Sequence, residues 1–178
     1  QVATCDYEYY VVELSSFQLD NMYDFKADIA VLLNITPDHL DRYDHKMENY
    51  IDAKFRITRN QTADDAFIYW NDDPIINEKL HSLQLHSQLY PFSEAPQPQS
   101  RAYTHDHKVV INTPDDVFTM EEDELALPGR HNLYNSLAAG ISANLLHIEK
   151  DEIRRALSDF QAVEHRLEPV ATVRGVRF

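Results

Sequence analysis

The chain alternates short, strongly apolar runs with longer amphipathic ones, and this spacing predicts strands and helices in turn. Tyr7 to Leu14 (YEYYVVEL) is aromatic and β-branched and predicts a strand ending at Glu13. Asp28 to Asn34 (DIAVLLN) is apolar without alternation, the pattern of a strand buried on both faces. Between them Ser16 to Asp24 fits a short helix capped by Ser15 or Ser16, which completes a strand–helix–strand unit. Thr36-Pro37 reads as a cap followed by proline at the first helical position, which puts Asp38 and His39 in a first helical turn.

Further on, the pattern gives a helix over Glu48–Asn60, a strand at Ala66–Trp70, a helix at Asp73–Ser82 and a strand at Gln88–Phe92. Ser93 to Ser100 (SEAPQPQS) is expected as an exposed loop. Ala102 to Thr119 reads as two or three antiparallel strands turning at His105-Asp106-His107. Asn132 to Leu146 places Leu133, Leu137, Ile141 and Leu145 on one stripe of a helix, and Asp151 to Phe160 forms another. Pro169 to Phe178 begins a further strand. The fold class expected is α/β: a mostly parallel sheet flanked by helices, with a small antiparallel portion.

Composition narrows the function classes. The 178 residues fit one ordinary domain with at most a fragment of a second. Sixteen basic against thirty acidic residues give a net charge of −14, which repels phosphate backbones and argues against nucleic acid as a partner. The same field repels a free nucleotide unless a metal ion reverses it locally, so nucleotide chemistry here should lean on Mg²⁺. No apolar run is long enough for a membrane span, and no N-terminal segment reads as a signal peptide. The single cysteine, Cys5, allows no intrachain disulfide and fits a reducing cytosol. The three glycines, Gly129, Gly140 and Gly175, are too scattered for a Gly-x-x-x-x-Gly-Lys-Ser/Thr phosphate loop.

Five segments carry candidate chemistry. Glu13 stands at a strand's C-terminal end, where open α/β sheets place ligands, with the hydroxyls of Ser15 and Ser16 following. A solvated strand-end glutamate beside ordinary caps explains the same residues. Asp38, His39 and Asp41 could ligate a metal or simply complement a helix start, and Arg42 adds a fork suited to carboxylate or phosphate. Lys54 falls near the centre of the apolar face defined by Tyr50, Ile51, Phe55 and Ile57. It either snorkels or is a buried amine of lowered pKa, able to add CO₂ as a carbamate. In LPGRHNLYN, His131 and Asn135 lie four apart, and Asn side chains can read an adenine edge; a turn plus cap is the plainer alternative. Arg166, in Glu164–Glu168 (EHRLE), either reaches a phosphate across a cleft or belongs to a solvated hinge.

Taken in order, ELSSFQLD, NITPDHLDRY, Lys54, LPGRHN and HRLE resemble the Mur ligase family over nearly the whole chain. The first two segments look most like the branch that adds D-glutamate to UDP-N-acetylmuramoyl-L-alanine through an acyl phosphate, releasing ADP and phosphate. The resemblance implies ATP and two Mg²⁺ ions, with Glu13 and His39 as metal-site residues and Lys54 as a carbamylated lysine supporting the second ion. It implies that Asn135, with His131 and Asn132 beside it, contacts ATP, and that Arg166 reaches the nucleotide. Ser15, Asp38 and Arg42 are implied near the substrate.

The resemblance further implies a P-loop-NTPase-like central ATP-binding domain over residues 1–161, with its phosphate loop upstream, and over 162–178 a linker and the first strand of a C-terminal ligase domain. Such a fragment is expected to be inactive alone. The intact enzyme is expected to be a monomer of the bacterial cytoplasm. Two alternatives stay open: another Mur-type or folylpolyglutamate-type amide ligase, and a non-catalytic nucleotide-binding module.

Overall fold

The structure is a computed structural model and describes residues 6–114, 116–160, 172–174 and 176–177. Six strands build one sheet in chain order: β1 (Ile29–Leu32), β2 (Ala66–Trp70), β3 (Gln88–Phe92), β4 (Ala102–His105), β5 (Lys108–Asn112) and β6 (Val117–Glu121). The pairings β1–β2, β2–β3 and β3–β4 are parallel, and β4–β5 and β5–β6 are antiparallel. The helices are α1 (Ser16–Leu19), α2 (Met47–Phe55), α3 (Pro74–Ser82), α4 (Arg130–Leu145) and α5 (Lys150–Asp159). A separate pair, β7 (Thr172–Val173) and β8 (Val176–Arg177), is antiparallel.

β2 explains the architecture. Its first four residues are all buried, so apolar side chains on both faces demand cover. Ala66 and Ile68 pack with Phe92, Ile111 and Phe118 under Leu137 and Ile141 of α4. Phe67 and Tyr69 pack with Ala30 and Leu32 under Tyr50 and Phe55 of α2 and Ile76 of α3. On the first face α4 comes so close to β5 that a Cβ at Gly140 would collide with Ile111. The stripe expected on α4 is the one that packs: Leu133, Leu137 and Ile141 are buried, and Leu145 is partly so.

Local chemistry sets the connections. Asp73 caps α3, one carboxylate oxygen accepting the N–H groups of Ile75 (2.9 Å) and Ile76 (3.0 Å), and Pro74 occupies the position where no N–H is needed. Its other oxygen accepts the buried Ile35 N–H at 3.0 Å, which ties the chain leaving β1 to the start of α3. The β4–β5 turn has Asp106 and His107 at φ 48° and 61°, the left-handed pair that a two-residue hairpin requires.

Three expectations are corrected. Residues 7–14 form no strand; Val11 and Val12 are exposed, and β1, the nearest strand in sequence, pairs among the described residues with β2 alone. A β-prone run becomes a strand only where a neighbour takes up its backbone hydrogen bonds. Asp38 and His39 do not start a helix: the Asp38 carboxylate accepts the His39 N–H at 2.8 Å, and His39 turns left-handed at φ 49° before a single 3₁₀ turn at Leu40–Tyr43. The helices expected over Ser16–Asp24 and Glu48–Asn60 are shorter, the second passing into a 3₁₀ turn at Arg56–Thr58.

Since Leu137 is fully buried at the centre of the α4 contact, Leu137→Ala should cost about 2–5 kcal/mol. Val117→Ala, at a side chain 52% exposed, should cost well under ~1 kcal/mol. Urea unfolding midpoints compare the two, and equal shifts would contradict this packing.

Candidate functional site

The C-terminal ends of the parallel strands carry two groups of side chains. The first forms where the chain leaves β1. Ser15 caps α1 in a reciprocal box, its N–H donating to Gln18 Oε1 at 2.8 Å and its hydroxyl accepting the Gln18 N–H at 3.3 Å. This turn aims Phe17 at the segment after β1. The ring of Phe17 stands edge-on to His39 at 5.5 Å between centroids, and the Arg42 guanidinium lies over it at 4.8 Å. Asp20 anchors the other end, accepting the Tyr43 hydroxyl at 3.0 Å while its carbonyl accepts from Arg56 at 3.1 Å.

Within this group Asp38 and His39 are paired, His39 Nε2 lying 3.4 Å from Asp38 Oδ2, and both remain more than half exposed. Lys54 is half-buried with its ammonium over the Tyr50 ring at 5.1 Å. Burial pushes the Lys54 ammonium below its usual value, and the Asp38 carboxylate partly opposes the shift. Glu13 is exposed, at the end of the extended segment two residues before the α1 cap. Among the described residues no group of three or more His, Cys, Asp or Glu side chains is placed to hold a metal ion.

The second group lies where β2 and β3 meet the first turn of α4. Gly129 precedes the helix at φ 102° and ψ 152°, a backbone region closed to residues with a Cβ. It turns the chain so that His131 and Asn135 both emerge exposed, one helical turn apart. The Asn132 amide donates back to the Pro128 carbonyl at 2.8 Å. Tyr134 points inward, its ring 4.5 Å from Trp70 and 6.5 Å from His131. Beside this turn runs a groove of about 660 Å³ lined by Glu94, Glu121, Glu122 and Asp123 together with His107 and Arg130. Four carboxylates against one guanidinium disfavour phosphate in the groove itself.

Arg166 lies outside the described residues, as does the rest of EHRLE. The sequence did not single out Phe17, Asp73 or Glu94. Asp73-Pro74 announces a helix start, but nothing local signals that the same carboxylate also holds Ile35.

A Mur ligase middle-domain family model matches residues 1–143. The chain belongs to the Mur ligase family. It is 67% identical over all 178 residues to the UDP-N-acetylmuramoylalanine–D-glutamate ligase of Bacteroides fragilis and 66% identical to that of Bacteroides thetaiotaomicron. In both cases the chain spans 40% of the relative's length. Among solved structures, MurF from Acinetobacter baumannii superposes with a TM-score of 0.61 at 21% identity, over 82% of this chain and 32% of that one, which supports the shared fold. No described helix is long and apolar enough to cross a membrane.

Two measurements probe the Mur ligase site. Gly129→Ala should destabilise by about 1–3 kcal/mol through backbone strain alone, because nothing lies within 4 Å of the added Cβ; an unchanged unfolding midpoint would refute the strain. Lys54 should become reactive to acetylating reagents at lower pH in the folded than in the urea-unfolded chain. With the folded value below the ordinary 10.5, stability contributed by this group is present above 10.5 and lost as pH falls through the folded value. Identical reactivity midpoints in the two states would contradict the burial.

Proposed function

We propose that this chain is the central, ATP-binding part of an amide ligase that joins D-glutamate to UDP-N-acetylmuramoyl-L-alanine. The observation that carries the proposal is the 67% identity along the whole chain to a protein of that name. Residues 1–161 form the ATP-binding portion, and 162–178 the linker and the start of a ligase domain. Because the chain spans 40% of that relative's length, the activity belongs to a full-length protein working as a monomer in the bacterial cytoplasm, and this portion alone is inactive.

In that enzyme the substrate carboxylate attacks the γ-phosphorus of ATP, forming an O–P bond as ADP leaves. The D-glutamate amine then attacks the acyl carbon, forming the amide as phosphate leaves. Bound Mg²⁺, two ions in all, supplies the positive charge that lets a carboxylate approach a triphosphate. The residues present suit that partner unequally. Glu13 offers a hard carboxylate oxygen, whereas His39 offers nitrogen and has Asp38 alongside to orient its ring. Lys54 supports the second ion as a carbamate: its neutral amine forms an N–C bond with CO₂ and releases a proton. Its half-burial and depressed pKa favour that neutral amine.

Asn135 and His131, with Asn132 behind them, present amide and imidazole groups to the adenine edge, and Arg166 reaches the same nucleotide from the linker. Ser15, Asp38 and Arg42 line the approach of the UDP-linked substrate.

The full-length ligase should release ADP and phosphate only when both D-glutamate and UDP-N-acetylmuramoyl-L-alanine are present. Equal turnover with a folate and L-glutamate would replace this function with a folylpolyglutamate-type one. Lys54→Ala should lower turnover on the order of hundredfold or more, the loss of several kcal/mol of charge stabilisation. Short-chain carboxylates that stand in for the carbamate should restore part of it. Full activity of Lys54→Ala without added acid would remove the carbamate from the mechanism.

A further inference from the structure

The Ser93–Ser100 segment, whose composition suggests an exposed loop, is pinned on both sides of Glu94. The Glu94 N–H donates to Asp72 Oδ2 at 2.9 Å. Its carbonyl accepts both the Thr104 N–H (3.2 Å) and the Thr104 hydroxyl (2.7 Å). Asp72 is held in turn by the Trp70 indole N–H at 3.2 Å and the Gln97 amide at 2.5 Å. Ser93, just before, is fully buried, its hydroxyl donating to the Ala95 carbonyl at 2.6 Å. The backbone at Glu94 is therefore fixed from the ends of β2 and β3 and from β4.

From this fixed backbone the Glu94 carboxylate reaches α4. Oε2 accepts from Arg130 Nη2 at 2.5 Å and from the Tyr134 hydroxyl at 3.5 Å. The helix needs such a partner. Its first turn carries no acidic residue, and Gly129 provides no side-chain cap. Arg130 puts a positive charge at the helix N-terminus, and Glu94 brings the opposing charge to it from another element. Arg130 and Glu94 are 64% and 42% exposed, so the pair contributes little to stability. It does fix position, because Arg130 and Tyr134 each sit one residue before His131 and Asn135.

We propose that Glu94 is a positioning residue that locks the first turn of α4 so that His131 and Asn135 meet the purine of a bound nucleotide. This rests on the assignment of that turn to ATP in the preceding subsection. Glu94 touches no reacting atom, so its removal should weaken nucleotide capture and spare the chemical step.

The test uses the full-length ligase and steady-state kinetics with ATP varied. Glu94→Gln should raise the KM for ATP about two- to fivefold with kcat changed less than about twofold, the signature of lost ground-state positioning. Its melting temperature should stay within about 2 °C of the parent, as expected for an exposed pair. The exchange Glu94→Arg with Arg130→Glu, which restores the pair in reverse, should recover most of the lost affinity. Asn135→Ala serves as the reference and should raise the same KM. An unchanged KM in Glu94→Gln alongside a raised one in Asn135→Ala overturns the positioning role and leaves the nucleotide site standing. An unchanged KM in Asn135→Ala removes the nucleotide site and this role with it. A fall in kcat at constant KM, or no recovery in the exchange, also overturns it.

Discussion

A parallel sheet must be covered on both faces, and that requirement governs the rest of the molecule. β1 and β2 are short and apolar on both sides, and each is followed by chain that crosses back over a face to the next parallel strand, β2 and β3 in turn. The exits from these strands therefore collect along one edge of the sheet. Asp38 and His39 follow β1, Asp72 and Asp73 follow β2, and Glu94 follows β3. α4 runs back from the same edge, which is why its first turn rather than its last meets them. The polar groups gather there because the apolar ones had nowhere else to turn.

The two groups at this edge are built differently. Around His39 the contacts are weak and exposed: an aromatic edge, a cation over a ring and an ion pair open to solvent. Around α4 the contacts reach into the core through Tyr134, which is buried against Trp70 and Phe92. One side of the edge is thus exposed and the other tied to the core. Asp73 joins the β1 exit to α3 with one buried carboxylate, so the exposed side is still anchored at its root.

Much of the fold was legible because its signals are local. Strands at 66–70 and 88–92 follow from apolar runs, and the α4 stripe from its period of 3.6. Asp73-Pro74 marks the α3 start with a cap and a ring that needs no N–H. The failures share a cause, in that each depends on a distant partner or on competition within a few residues. The 7–14 run has strand propensity but no adjacent strand among the described residues. Thr36-Pro37 imitates a helix start, yet the Asp38 side chain captures the next N–H and the chain turns left-handed. SEAPQPQS has a loop's composition, and contacts from other elements, Asp72 and Thr104 among them, hold it in place. Of the candidate site residues, the sequence marked types and order; it could not show that Lys54 would lie over Tyr50 or that Phe17 would sit between His39 and Arg42.

The stretch from Tyr7 to Val12 has a consequence of its own. Two tyrosines nearly half exposed, a third more so and two bare valines form a sticky, β-prone ribbon on an otherwise acidic surface. Exposed apolar side chains of this kind favour contact with other apolar surface. The net charge of −14 opposes contact between copies of this chain, and salt screens that repulsion without changing the exposed apolar surface. Ionic strength therefore sets how far the charge of this chain offsets the apolar exposure of its 7–12 segment.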